Sequence, residues 1–242
     1  MHRALPDAGD RLLAVAVDVT DESQVQAAVA AAVERFGRID VLVNNAGRGL
    51  LGAVEEASAD EVHSVFDTNV FGLLSVSRAV LPVLRGRRSG RVINISSVGG
   101  FAAGAGWGIY AGTKFAVEGI SEAMRAELLP LGIFTTVVEP GVFRTDFLDS
   151  SSLHDTGRTI EDYAESAGRT RDWARQTSHA QPGDPVKAAA AIVELAQAEQ
   201  PPLRLQLGAD CVARVEAKLA SVADELAQWR QLALSTGYDA TT

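Results

Sequence analysis

Tyr110 and Lys114 stand four residues apart at the start of a stretch with helical spacing, so both side chains leave one face of the same turn. A phenol titrates near pH ~10 and is a poor acid or base at neutral pH. An ammonium about 4–5 Å away favours the phenolate, and each tenfold gain in its ionisation is worth ~1.4 kcal/mol. That makes the pair a general acid/base device. The competing reading is an exposed helical pair on a solvated face, so the surroundings must decide. Ser97 ends an apolar strand upstream and opens a glycine-containing loop, where a hydroxyl can hold a carbonyl or alcohol oxygen beside the phenol. A serine that only caps the loop is the alternative. Gly104-Ala105-Gly106-Trp107-Gly108 does not match a phosphate loop, because no full G-x-G-x-x-G opens a helix; it reads as a flexible wall of a substrate site. Asn69 places an amide inside a helical pattern, and a buried amide demands partners. Asn44-Asn45-Ala46-Gly47 ends a strand where small residues permit close backbone approach, or is simply a turn.

The elements that must position these residues alternate. Apolar runs at 12–17, 40–43, 91–95, 133–138 and 203–207 read as buried strands. Helical patterns fill 22–36, 58–84, 110–129, 185–198 and 210–232. Thr20 or Asp21 caps the first helix and Gly37 stops it, while Pro82 and Gly86 close the second. Residues 144–183 are polar and weakly patterned. Strand and helix alternating five times predict an α/β fold, a doubly wound parallel sheet with helices on both faces. Ligands bind such sheets outside the carboxyl ends of the strands, where the residues singled out above gather.

The chain has 242 residues, 47% of them apolar, which suits one domain with a sizeable core. A net charge of −9 argues against nucleic acid as a partner, since phosphate binding needs clustered Lys and Arg. Cys211 is the sole cysteine, and His2, His63, His154 and His179 are scattered, so no disulfide or metal cluster is expected. No apolar run approaches the ~20 residues that span a bilayer, and no secretory signal is evident. A soluble, cytoplasmic protein is the expectation.

Taken in order, Asp18-Val19, Asn44-Asn45-Ala46-Gly47, Asn69 in NVFG, Ser97 in NISSVGG, Tyr110-Ala-Gly-Thr-Lys114 and Pro140-Gly141 with Thr145 resemble the single-domain short-chain dehydrogenases/reductases. The likeness runs from about residue 12 to 147 and more weakly to 208. It implies a Rossmann-like fold, an NAD or NADP cofactor, and a small alcohol or carbonyl substrate. By the same resemblance Tyr110 exchanges the proton, Lys114 lowers its pKa and bonds the nicotinamide ribose, Ser97 orients the substrate oxygen, and Asn69 anchors a water relay to Lys114. Asp18 and Val19 would contact adenine, Asn45, Ala46 and Gly47 the adenosine-ribose side, and Pro140, Gly141, Val142 and Thr145 the nicotinamide carboxamide. Residues 144–183 fall where the family has its substrate lid, with Leu148, Leu153, Ile160, Tyr163 and Trp173 as candidate lining; a peripheral insertion is the equal alternative. The helix at 209–233 is expected to dock on the domain, with a partner site as the alternative. A homo-oligomer joined through the helices at 58–84 and 110–129 is implied by the resemblance alone.

The departure from the family is at the start. The strand, glycine-rich turn, helix and second strand that open the family's fold, and whose turn cradles a pyrophosphate, have no counterpart before residue 12. The expectation is therefore an N-terminally truncated domain with two apolar ladders left unpaired, and no basis for choosing between NAD and NADP. Two other functions compete: a non-catalytic homologue with impaired cofactor binding, and a Ser97–Lys114 hydrolase. The hydrolase is the weaker, for lack of a G-x-S-x-G elbow.

Overall fold

Asp21 accepts hydrogen bonds from the backbone N–H of Ser23 and Gln24 and so opens helix α1 (Glu22–Phe36); Gly37, in the left-handed conformation at φ 73°, closes it. Those are the expected bounds. The structure is a computed structural model in which residues 9–238 are described, and His2 lies outside them.

Four parallel strands form the main sheet in the order β1-β3-β4-β6: β1 (Val41–Asn44), β3 (Gly90–Ile95), β4 (Ile133–Pro140) and β6 (Arg204–Leu207). Val43 pairs with Ile93, Ile93 with Thr136, and Val138 with Leu205. Neighbouring residues of β3 face opposite sides, and each side finds its own helices. Val92 packs with Leu84 of α3 (Leu73–Arg87) and with Met124 and Leu128 of α4 (Gly108–Leu128). Ile93 packs with Val138 and with Leu195 of α6 (Pro185–Gln197). The domain is thus a doubly wound, Rossmann-like α/β fold.

Four expectations need correction. Residues 12–17 form no ladder: Leu13, Val15 and Val17 are 37%, 47% and 36% exposed. A strand exists through its partners, and among the described residues none lies beside this run. Pro82 does not end its helix. Val80 and Leu84 are buried on either side of it, and that packing carries α3 through to Arg87 despite the missing N–H. The helical stretch before it is also interrupted: α2 (Ala59–Phe66), a π-turn (Asp67–Gly72) and α3 follow one another, with Asn69 buried in the π-turn. Finally α7 (Ala209–Leu234) docks only by its first turns, through Cys211 and Val215, and every residue of it from Leu219 to Leu234 is exposed.

The polar stretch at 144–183 is more ordered than its pattern suggests. β5 (Leu153–Asp155) pairs in parallel with β2 (Gly49–Leu51), and α5 (Arg169–Thr177) packs Ala174 onto Leu51 and Leu153. Arg171 forms a buried ion pair with Glu56 and also donates to Thr156 Oγ1 at 3.0 Å. No helix among the described residues is long and apolar enough to cross a membrane.

Candidate active site

The carboxyl ends of β3, β4 and β6 open on a cavity of about 420 Å³. Ser97, Tyr110 and Lys114 line one wall, and Asn45 and Gly47 lie at its edge. Pro140, Gly141, Val142 and Thr145 line it as well. Nine of the residues chosen for their types and order therefore meet at one place.

Helix α4 presents Tyr110, Lys114, Val117, Glu118, Ser121 and Met124 along its buried stripe, the i, i+3, i+4 spacing that faces a helix onto a core. Tyr110 is 7% exposed, Ser97 hydrogen-bonds it, and its ring packs between Trp107 and Phe147 at 5.6 and 5.5 Å between centroids. Lys114 Nζ lies 5.7 Å from the centre of the Tyr110 ring and donates to the Ile95 carbonyl at 2.8 Å, which leaves it further N–H donors. One expectation reverses here. Burial pushes the Tyr110 phenol up to about 12, with the Ser97 hydrogen bond opposing, and the Lys114 ammonium does not bring it below its ordinary value. Burial likewise lowers Lys114 to about 8, against the pull of Glu118. For both groups the cost of taking the charge out of water is the largest influence.

Asn69 sits behind this wall rather than on it. Its Nδ2 donates to the Arg48 carbonyl at 2.9 Å and to Thr113 Oγ1 at 3.0 Å, and its Oδ1 accepts from Arg48 N at 2.9 Å. Gly47 lies between Asn69 and Lys114: a Cβ there would come 3.4 Å from Asn69 Oδ1 and 3.7 Å from Lys114 Nζ. Asp18 and Val19 are away from the cavity. Asp18 is exposed and accepts hydrogen bonds from Thr20 N and Oγ1, which hold its carboxyl below the usual range; Val19 rests against Gly72. Ala46 is exposed and does not line the cavity.

Of the lid candidates, Leu148 and Trp173 line the cavity, whereas Leu153, Ile160 and Tyr163 do not. The glycine-containing wall is not loose. Gly106, at φ 79°, is buried against Ala167 and Thr170; its carbonyl accepts from Gly52 N, and that of Ala105 accepts from Thr170 Oγ1. Asp146, Asp149 and His179 bring ligand-type atoms within 4.8 Å at the surface, yet Asp149 is already engaged by Ser178 and His179.

Other features of the site carried no signal in the motifs. Asp210, at the start of α7, accepts from Val142 N at 2.9 Å, and a Cβ on Gly141 would strike its carboxylate at 2.3 Å. Only glycine lets β4 turn under that clasp. Beneath Lys114, Arg204 Nε lies 3.0 Å from Glu118 and 3.6 Å from Glu139, and its Nη2 lies 2.8 Å from Glu122. Burial raises the carboxyls of both Glu118 and Glu139. Asn44 reaches Asn94, which reaches Ser121, a polar chain that joins β1 and β3 to α4. A strand-end Glu or Asn read alone shows none of these meetings, because they come from neighbouring strands.

The family profile described as short chain dehydrogenase matches residues 1–155. The oxidoreductase BOA17 of Botryotinia fuckeliana is 38% identical over 229 residues, covering 94% of this chain and 82% of that protein. Among solved structures, a short-chain dehydrogenase from Streptomyces avermitilis superposes with a TM-score of 0.88 at 42% identity, covering 98% of this chain and 84% of the other. ElxO with NADP bound superposes with a TM-score of 0.69 at 25% identity, covering 88% and 83%.

Proposed function

This chain belongs to the short-chain dehydrogenase family, and from that premise we propose that it interconverts an alcohol and a ketone or aldehyde, using a nicotinamide dinucleotide as hydride partner. The observation that carries the reading is a buried phenol hydrogen-bonded by Ser97, with a buried ammonium one helical turn further along α4. Residues lining the cavity suit such a cofactor: Gly47 puts no side chain beside the Lys114 ammonium, and Lys114, with one N–H given to the Ile95 carbonyl, keeps donors for a ribose hydroxyl. ElxO, the NADP-bound relative in fold, supports the same class of cofactor. When bound, the dinucleotide supplies or accepts the hydride.

The protein's part is the proton. With its pKa near 12, Tyr110 rests as a phenol at neutral pH and is poised to donate to a carbonyl oxygen. The Ser97 hydroxyl holds that oxygen beside the phenol, and Lys114, charged below about pH 8, offsets the phenolate left behind. Trp107, Phe147, Leu148 and Trp173 surround the position, so an apolar carbonyl compound is the substrate these walls suit.

A second reading, a homologue that binds partners without turnover, draws on the open position of Asp18 and Val19 and the unpaired run before them. Titration with NADH and NADPH, followed by nicotinamide fluorescence, separates the two. Binding of either cofactor, with carbonyl turnover that falls by roughly 10²–10⁴-fold in Tyr110→Phe, is the expected result. No binding by either, or full turnover in Tyr110→Phe, removes the oxidoreductase reading.

A further inference from the structure

The chain has 31 acidic residues against 22 basic, yet among the described residues that line the cavity there is no Asp or Glu, and there are two cations, Lys114 and Arg214. Lys114 is engaged at the Ile95 carbonyl and beside the Tyr110 ring. The proton chemistry makes no use of Arg214. It stands on α7 between Cys211 and Val215, which seat the helix against Val98 and Phe101, so its side chain leaves at the edge of the docked face. Its Nη2 donates to the Ala102 carbonyl and lies 4.0 Å from where a Cβ on Gly104 would stand.

Those contacts place the guanidinium. Gly104 lines the cavity, its carbonyl accepts from Trp107 N at 3.1 Å, and the Trp107 ring packs on Tyr110. Arg214 therefore flanks the same loop as the phenol, at the exposed mouth of a cavity otherwise walled by Trp107, Phe147, Leu148 and Trp173. A guanidinium carries five N–H donors, and Ala102 takes one. No carboxylate lies within ion-pair distance of it among the described residues; Asp210, one turn back along α7, is turned onto Val142 N instead. Such a fork matches a carboxylate, which it can hold through two parallel N–H···O bonds. A chain of net charge −9 repels anions at long range, so a cationic mouth is what an anionic ligand needs once it is close.

Resting on the oxidoreductase reading, we propose that Arg214 sets the substrate class: a carbonyl compound whose apolar body ends in a carboxylate, with the carboxylate on Arg214 at the mouth and the oxo group at Tyr110. The probes are straight-chain oxo acids of graded length, each against its methyl ester. They are titrated calorimetrically into the protein with and without NAD⁺ or NADP⁺, which can deliver no hydride. At least one acid is expected to bind roughly tenfold more tightly than its ester, and the preference should shrink as salt is raised. Arg214→Gln, which keeps a donor for the Ala102 carbonyl, should bring that ratio to about one with the unfolding transition retained. Arg214→Lys, which keeps the charge but not the fork, should retain part of it. No acid bound better than its ester by the wild type overturns the proposal, and so does a ratio unchanged in Arg214→Gln. If Arg214→Gln weakens NADP⁺ as much as the acid, the guanidinium serves a cofactor phosphate and the proposal falls. The ratio is a difference in binding and is read without turnover. Failure of the oxidoreductase reading shows separately, as an acid that binds but is not reduced when NADH or NADPH is supplied.

Discussion

Burial sets the resting state of the two residues on which the proposed chemistry turns. That Tyr110 and Lys114 share one face of a helix was legible in the sequence, because a helix fixes where residues four apart lie; their protonation was not, because desolvation belongs to the folded chain. With the phenol near 12, the phenolate fraction grows about tenfold per pH unit through neutrality. Alcohol oxidation is therefore expected to show kcat/KM rising with a slope near one on a logarithmic plot from pH 7 upward. Carbonyl reduction should be level and then decline as Lys114 loses its proton above about pH 8. A flat oxidation profile would mean that another group takes the proton. The lysine also has a stability signature. Its folded pKa of about 8 lies below the 10.5 of the free side chain, so the unfolded chain binds more protons between those values and stability rises with pH across that window. Below pH 8 the native state carries the whole cost of the buried charge. Lys114→Met should remove that cost, stabilising the protein by roughly 2 kcal/mol at pH 7 while abolishing turnover. Urea unfolding at pH 7 and pH 10 checks it: the gain should shrink at the higher pH, and an equal gain at both would refute the assignment.

At the scale of elements, what the sequence displays depends on length and on where the partner lies. α1 could be bounded to within about a residue, with Thr20 or Asp21 as its cap, because capping residues and Gly37 act locally. β2 and β5, three residues each, form through pairing across about a hundred residues of chain, and no local pattern reports that. The same reason hid Arg171, an unremarkable arginine in a polar stretch until α5 is set against Glu56. Burial pushes the Glu56 carboxyl up, but the N–H groups of Ile160 and Ala53 together with Arg171 hold it below its ordinary value. Its contribution is thus present above the ordinary carboxylate range and is lost as pH falls through the depressed folded pKa. Arg171→Ala strands a buried carboxylate, and a loss of about 3–5 kcal/mol is expected in the unit formed by β2, β5 and α5. Limited proteolysis should then cut first within 144–183. Arg171→Met/Glu56→Gln, which removes both charges, should recover most of that loss; a double variant no better than the single would show that the arginine acts by packing alone.

For the whole molecule, the doubly wound class could be read from the alternation of elements, whereas the margin of the sheet could not. A ladder is a property of pairs, and the apolar run at 12–17 looked like a strand because composition records only the tendency to be buried. Among the described residues β1 is the terminal strand of the sheet. Its Val41 and Val43, two residues apart and on one side, are 38% and 43% exposed, and Leu13, Val15 and Val17 add further exposed apolar surface. An open strand edge with a bare apolar face is the feature that sheets ordinarily blunt with charge. The chain's net charge of −9 opposes association at long range, but it is screened within about 8 Å at physiological salt, shorter than the reach needed to keep such faces apart. Raising the salt should therefore increase light scattering in the wild type, and this margin should be where association starts. Val41→Lys/Val43→Lys should lower both the scattering and the binding of a hydrophobic dye. Because both side chains already lie largely in solvent, the unfolding free energy should move by no more than about 0.5 kcal/mol. Scattering that is unchanged by the two lysines would assign the association to another surface, and a large loss of stability would mean that the face is covered after all.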